Sequence, residues 1–540
     1  MPTPQPLSFT AQPPAADRRD DPQYDPQYDP LVAPTPGSGR AYAPTYWVAS
    51  AGAPPADDGP VRGDMDADIV VIGSGSTGIS TALYLAQEHG MRAVVLEANQ
   101  VAWGCSSRSG GQGQNASGRL TRTQWIARWG LDVAQQLDRE IRTGFENFRQ
   151  LTREIDCDAF EGGHLYVAHR PEKMTYLRNQ AQVRREAFGY DTRILSAEEL
   201  RRDYCDEREA AGALLEQEGI GIHPLKFTFG LMAKARALGV TVHPASPVQG
   251  WQTTGGVHHL RTPGGTVRAK RVAVCTGGYT GQGLNPMLRN KLMPILSNSV
   301  VTRPLTDAEL QATRFRSHTF LTDTRTLRFY YRLLKDNRLQ IGSRSSVTGA
   351  EAEQPEHLKL LTDAELKATN FRSHTFLTDT RTLRFYYRLL NDNRLQIGSR
   401  SAVTGAEAEH SGHLKLLTDA IARKFPPLAG IAIDYSWWGW VDVSHDMMPR
   451  ITQPDPTQTV WHALGYGGNG VSFSTWAGKR LAERVAGKDG GNAAFKLPIY
   501  DSPLEYPNMF GTLRSPVWAP WRRIGQRMLY KWYWLRDEKL

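Results

Sequence analysis

Six residues near the start of the chain, Gly73-Ser74-Gly75-Ser76-Thr77-Gly78, have the make-up of a loop that cradles phosphate. Glycine at the first position permits a tight turn, at the third lets backbone approach a pyrophosphate, and at the sixth lets a helix pack closely on a sheet. An apolar strand over residues 67–72 runs straight into this loop, and Ile79, Ala82, Leu83 and Ala86 follow at the spacing of one helix face. The N-terminus of that helix then points at the phosphates. A second strand, residues 93–96, ends at Glu97, nineteen residues after Gly78. A carboxylate there accepts hydrogen bonds from ribose hydroxyls and repels a 2′-phosphate.

Three further clusters decide which dinucleotide this is. After the second strand comes Gly104-Cys105-Ser106-Ser107-Arg108-Ser109-Gly110-Gly111-Gln112, small and polar enough to let a large ligand pass over exposed backbone N–H groups. A short buried strand over residues 271–275 ends in Thr276-Gly277-Gly278, a close-approach turn. Far downstream, a strand over residues 460–464 meets Gly465-Tyr466-Gly467-Gly468-Asn469-Gly470, with a helix beginning near Val471. That helix brings a second positive end into the site, where it can stabilise negative charge on a reduced flavin ring. The reading is therefore FAD rather than NAD. The expected cofactor set is Gly73, Gly75, Ser76, Thr77, Gly78 and Glu97 from the first unit. Ser106, Arg108, Gly110, Gly111 and Gln112 come from the loop, and Val248, Thr276, Gly277, Gly468, Gly470 and Val471 from the later segments.

These groups must be positioned by a sizeable fold. The chain has 540 residues, enough for two or three domains. Lysine and arginine exceed aspartate and glutamate by 64 to 55, but they are spread out rather than gathered in a stripe, which argues against nucleic acid. Cys105, Cys157, Cys205 and Cys275 lack the spacing of a zinc ribbon, redox motif or disulfide framework, so no metal is expected and a reducing cytoplasm fits. No stretch of about 18 apolar residues suggests a membrane span. Near the end, Trp521, Arg522, Arg523, Arg527, Lys531, Trp532 and Trp534 mix aromatic and basic groups. They are read as a segment docked on its own domain, with a membrane surface as the alternative.

Residues 1–62 are rich in Pro, Ala and Asp without an apolar period, and are expected to be a tail, with order beginning at Asp64. Residues 305–360 recur almost unchanged as residues 361–416, a recent tandem duplication or an assembly repeat, not a solenoid. Each copy reads as a hairpin followed by a helix, and only one copy is expected to fill the core slot. The second is favoured because it is continuous with the helix over residues 413–425. The class is α/β with mixed α+β character: a Rossmann-like FAD-binding domain and a substrate domain on a mixed or antiparallel sheet. The first is assigned residues 63–155, 216–296 and 436–490, the second 156–215 and 297–435, with 491–540 as a C-terminal extension.

At these residues the chain resembles the D-amino-acid-oxidase-like family of FAD-dependent oxidoreductases. The marks are the Gly73 to Gly78 loop, GCSSRSGGQ in place of the usual GASGRNGGQ, Gly221-Ile222-His223-Pro224-Leu225, Cys275-Thr276-Gly277-Gly278, Thr302-Arg303-Pro304-Leu305, the Tyr-Tyr-Arg strand, Trp437-Trp438-Gly439 and residues 465–471. Ser107, Ser109 and Asn469 depart from the usual Gly, Asn and His. The resemblance implies oxidation of an amine: hydride passes to the flavin, the imine hydrolyses to an aldehyde, and dioxygen is reduced to hydrogen peroxide. It suggests a pocket lined by His223, by Tyr330 and Arg332 or their counterparts Tyr386 and Arg388, and by Trp437, with the second-copy pair preferred. Two alternatives remain open. One is a sarcosine-like secondary-amine dehydrogenase with another electron acceptor; the other is a flavin-binding protein whose duplicated segment prevents turnover. The oligomeric state is not legible.

Overall fold

The computed structural model describes residues 30–31, 33–315, 319–325, 330–333, 338–342, 375–378, 386–389, 395–399, 411–506, 528 and 532. Its first sheet is built around the strand Met65–Ile72, which pairs in parallel with Val94–Leu96 on one side and Gly265–Val274 on the other. Val94–Leu96 pairs onward with Thr241–His243, and Gly265–Val274 with Val460–Leu464, again in parallel. The last four residues of Met65–Ile72 are all buried. A parallel strand covered on both faces needs such a continuous apolar run, and it delivers the chain to Gly73 inside the domain.

The helix Ser76–His89 follows directly and ends at Gly90, whose left-handed φ of 64° turns the chain so that the Met91 N–H reaches the Leu85 carbonyl at 2.9 Å. The helix Phe473–Val485 lies against it at a glycine: a Cβ on Gly478 would stand 2.7 Å from Ser80 Cβ and 2.8 Å from the Thr77 carbonyl. This contact brings together the two helices expected to aim their N-termini at the cofactor.

A second sheet has eleven strands among the described residues. Met293–Pro304 and Ile433–Val443 run antiparallel from Met293 opposite Val443 to Thr302 opposite Ile433. Gly212–Glu216 lies between His164–Ala168 and Thr192–Ser196 at the far side. A small sheet of Gln112–Gln114, Gly219–Gly221 and Phe160–Glu161 connects the two halves. The fold class is thus mixed α/β, as read from the sequence.

Two expectations are corrected. The chain is integrated well before Asp64: the helix Tyr46–Ser50 buries Tyr46 and Trp47, the latter completely. Burying a large aromatic contributes on the order of a few kcal/mol, which suffices to hold a short segment without an apolar period. The expectation for residues 1–29 lies outside the described residues.

The second correction concerns the repeat. Strands of both copies join the eleven-stranded sheet, but the first copy makes the fuller pairing. Its strand Thr319–Asp323 pairs with His164–Ala168 from Phe320 opposite His164 to Asp323 opposite Val167, whereas Thr375–Thr378 of the second copy meets that strand only at Phe376. Arg338–Gly342 pairs with the entering strand at Val300, Val301 and Pro304, while Leu395–Ser399 does so at Asn298 and Ser299. The reason is chain continuity: Pro304 leads through the capped helix Asp307–Thr313 straight into the first copy, so the first hairpin reaches the slot without a long connection.

Candidate functional site

The cofactor cleft opens at the carboxyl end of the central parallel strands, where open α/β sheets bind ligands. Gly73 has φ of 101°, and a Cβ there would stand 2.8 Å from the Cys275 carbonyl, so both the turn and the neighbouring strand demand glycine. Gly78 is packed harder: its Cβ would lie 1.9 Å from the Gly73 carbonyl. Gly75 caps the helix with extended backbone, and its Cβ would meet only the Ser106 hydroxyl, at 3.3 Å. Gly73, Gly75, Ser76 and Thr77 line the cleft, while Gly78 shapes it from behind.

Glu97 is held rigidly at one end. Its Oε2 accepts from the Ser74 N–H at 2.9 Å and the Ser74 hydroxyl at 2.7 Å, and its Oε1 accepts from the Asn99 N–H at 3.0 Å. Burial pushes its pKa up, while these donors favour the anion. Val248 lines the same end with Ala98 and Leu284. Sequence reasoning missed Ser74 and Asn99, whose only signal is adjacency to the loop and to Glu97.

The loop after Val94–Leu96 passes along the cleft. Ser106 Oγ accepts from the Ser76 N–H at 3.0 Å, tying the loop to the helix N-terminus. Arg108 lies 4.3 Å from the Trp103 ring centroid and 5.3 Å from that of Tyr279, and donates to the carbonyls of Trp103 and Gly104. Gly439 leaves room for it, since a Cβ there would be 2.9 Å from Arg108 Cδ. Gly110 and Gln112 face the cleft; Gly111, at φ of 62°, gives its carbonyl to the Ile222 N–H at 2.8 Å. Cys105 donates from Sγ to the Trp440 carbonyl at 2.8 Å, and burial pushes its thiol up to about 12.

The downstream segments close the far wall. Thr276, Gly277, Gly468, Gly470 and Val471 line it, and the Asp442 carboxylate accepts from the Gly465 N–H at 2.5 Å. Thr77 and Tyr466 hydroxyls meet at 3.0 Å, and Ser76 and Ser474 hydroxyls at 2.9 Å, so the two helix N-termini are cross-linked by hydrogen bonds. Trp440, Tyr279 and Asp442 also line the cleft and were not anticipated. Asn469 instead turns to the Gly118 carbonyl, 2.5 Å from its Nδ2. Backbone donors at two helix ends, a ribose-side carboxylate and glycines at every close approach fit FAD.

The expected substrate residues are dispersed. His223 is a helix cap: its Nδ1 accepts from the Lys226 N–H at 3.1 Å, its Nε2 lies 3.1 Å from Ser50 Oγ, and Trp47 packs edge-on at 4.9 Å. An accepting Nδ1 requires the neutral ring with the proton on Nε2, donated to Ser50. Its neighbours Ile222 and Pro224 line the cleft, and the His223 side chain caps the helix behind them. Trp437 is buried and donates from Nε1 to the Arg108 carbonyl at 2.9 Å, which braces the loop from behind. Arg332 is buried against Gly221, whose Cβ would overlap its guanidinium, and Gly221 pairs with Gln112 of the cleft wall. Tyr330 lies in the strand Tyr330–Leu333, and Tyr386 and Arg388 in Tyr386–Leu389; the side chains of these three lie outside the described residues.

Among the described residues no group of three His, Cys, Asp or Glu side chains could hold a metal, and no helix is long and apolar enough to cross a membrane. Comparison with known proteins agrees with the site. γ-Glutamylputrescine oxidoreductase of Escherichia coli (strain K12) is 29% identical over 440 residues, covering 81% of this chain and 88% of that protein. Among solved structures, glycine oxidase from Geobacillus kaustophilus matches with a TM-score of 0.56 at 17% identity, over 80% of this chain and 98% of that one. L-amino acid deaminase from Proteus vulgaris matches with a TM-score of 0.56 at 18% identity, over 82% and 100%. The family model for FAD dependent oxidoreductases (DAO) matches residues 68–365 and 354–484. The chain therefore belongs to the DAO family of FAD-dependent oxidoreductases.

Proposed function

We propose that the protein oxidises the primary amine end of a γ-glutamylputrescine-like substrate to the imine, which hydrolyses to the aldehyde, and passes the electrons to dioxygen with release of hydrogen peroxide. The carrying observation is the likeness to the Escherichia coli γ-glutamylputrescine oxidoreductase, which extends over 88% of that protein rather than over the dinucleotide domain alone. FAD supplies the hydride acceptor when bound. The protein's own residues exclude water, orient the substrate and favour its neutral amine. Trp440, Tyr279 and Tyr466 give the cleft aromatic walls, and a low-dielectric wall lowers the pKa of an amine, as it does for a buried lysine. Arg332, fixed on the strand beside the small connecting sheet, is the cation assigned to a substrate carboxylate, which a γ-glutamyl group carries and putrescine lacks.

Anaerobic mixing of the holoprotein with γ-glutamylputrescine, putrescine, sarcosine and D-amino acids tests this reading by loss of the oxidised flavin absorbance. Fast bleaching by γ-glutamylputrescine, with peroxide released once air is admitted, is expected. Bleaching by sarcosine alone, or reoxidation that ignores dioxygen, would transfer the protein to the secondary-amine dehydrogenases.

A further inference from the structure

We propose that residues 33–47 form a clasp across the adenosine half of the FAD site, and that this clasp sets how long FAD is retained and how strongly it is preferred over FMN. Pro34, Thr35 and Pro36 line the cleft beside Glu97, Ala98 and Val248. They lie outside the dinucleotide-binding unit and before the first residue matched by the family model, residue 68.

The clasp is fastened on both sides of the adenosine end. On one side, the Gln282 N–H reaches the Ala33 carbonyl at 3.3 Å, and Gln282 Nε2 reaches the Pro30 carbonyl at 2.9 Å. Gly281 has no side chain because one would stand 2.2 Å from the Pro34 carbonyl. On the other, the Gly39 N–H donates to the Ala98 carbonyl at 3.0 Å and the Arg40 N–H to Asn99 Oδ1 at 2.8 Å. Asn99 also donates its backbone N–H to Glu97, so one residue joins the clasp to the ribose carboxylate.

Beyond Arg40 the same segment is attached to the loop that carries Ser106 and Arg108. Tyr42 OH donates to the Val101 carbonyl at 2.6 Å, and Trp103 Nε1 to the Ala41 carbonyl at 2.6 Å. Thr45 Oγ1 donates to the Ser107 carbonyl at 3.1 Å and Trp47 Nε1 to the Ser109 carbonyl at 2.8 Å. Adenosine contact and the shape of the loop are thereby connected through one short segment. The chemistry suits an adenine ring: proline offers a flat apolar face, its φ is fixed, and it brings no N–H that the ligand would have to satisfy. A wall that is already ordered costs little entropy when the ligand arrives. FMN lacks the adenosine and makes no use of that wall.

The test uses the full-length chain. Pro34→Gly with Pro36→Gly softens the wall, Trp47→Phe cuts the far fastening, and a chain lacking residues 2–29 keeps the clasp. FAD release on dilution is followed by flavin fluorescence, and FAD and FMN affinities are measured on the apoprotein, with circular dichroism and melting of the apoprotein as the folding control. The double variant is expected to release FAD on the order of tenfold faster, with FMN affinity unchanged. Trp47→Phe is expected to speed FAD release by a smaller factor, and the chain lacking residues 2–29 to release at the parent rate. Parent-like FAD release in a folded double variant, or equal losses of FAD and FMN affinity, would overturn the proposal. Either outcome is independent of which amine the enzyme oxidises.

Discussion

Replacing Gly78 by alanine sets two effects of opposite sign against each other, and the geometry decides between them. Alanine is the better helix former by about 1 kcal/mol, and Gly78 sits in the first turn of Ser76–His89. Its Cβ, however, would stand 1.9 Å from the Gly73 carbonyl oxygen and 3.3 Å from Cys275 Cβ. Relief requires the carbonyl to retreat by more than ~1 Å, and inserting a methyl group into such packing costs roughly 1–3 kcal/mol or more. The turn cannot absorb this freely, because Gly73 is itself pressed against the Cys275 backbone. The net expectation is apoprotein destabilised by ~1–2 kcal/mol, together with loss of flavin occupancy, since the displaced turn carries the phosphate-facing backbone. Gly75→Ala provides the contrast: its Cβ meets only a rotatable Ser106 hydroxyl, so the apoprotein should melt as the parent does while FAD is excluded by the added methyl group. Melting of the two apoproteins and the flavin-to-protein absorbance ratio measure these outcomes. A Gly78→Ala protein with parental melting and full flavin would refute the packing argument.

Further expectations concern charge, capping, acid stability and the repeat. Glu97→Gln removes the charge expected to accept from the ribose hydroxyls and sets an amide nitrogen against the Asn99 or the Ser74 donor, so FAD affinity measured by titration of apoprotein should fall by about 10- to 100-fold, the cost of one charge-assisted hydrogen bond; an unchanged affinity would remove Glu97 from the site. His223→Ala should lower stability by roughly 1–2 kcal/mol through the lost cap, yet leave the pH profile of amine-dependent flavin reduction unchanged, and a shifted profile would support a catalytic role. Burial lowers the His462 pKa from 6.5 to about 4, so the unfolded chain binds this proton first as pH falls. Stability present above pH 6.5 is therefore lost between about pH 6.5 and 4, and denaturant melts of His462→Gln should show a shallower fall across that window. Deleting residues 361–416 joins Leu360 to Leu417 and keeps the better-paired copy, so thermal stability and flavin content should be retained or improved; insoluble protein would show that both copies are structural.

The cofactor half of the molecule was largely legible because its determinants are local. Glycine spacing, the preceding apolar run and the helix period all lie within about 25 residues of Gly73, and each reflects one steric demand that the structure then displays. The surroundings of the substrate-side candidates were not legible, because His223 and Trp437 find their partners far along the chain. His223 meets Ser50, and Trp437 meets the Arg108 carbonyl. A histidine before proline looks the same in sequence whether it caps a helix or faces a ligand. The clasp was missed for a similar reason. Pro34 and Pro36 have no periodicity to reveal them, and what fixes them is complementarity to Gly281 and Asn99 elsewhere in the fold.

The repeat shows how far local sequence decides structure when two segments are almost the same. The tetrapeptide Leu-Thr-Asp-Ala occurs at residues 305–308, at 361–364 and again at 417–420. At its first occurrence Thr306 is an N-cap with φ of −71° and ψ of 163°, and Glu309, three residues on, completes a capping box, so a helix begins. At the last occurrence, position 421 is isoleucine, which cannot return a hydrogen bond to a cap. Leu417, Ala420 and Ile421 are buried together instead, and the same four residues lie in the interior of the helix Ser411–Lys424. The first occurrence follows the strand that ends at Pro304 and has its glutamate, whereas the last follows residues already helical from Ser411 and lacks it, so the same tetrapeptide starts a helix in one place and continues one in the other. The middle occurrence, followed like the first by glutamate at 365, carries the start signal. The family match accords with a junction here: its two stretches overlap at residues 354–365, where one copy ends and the next begins. The 56-residue addition is thus compatible with one folded enzyme at the level of local signals, and what limits it is the vacancy beside the entering strand, where the first copy has taken the longer pairing.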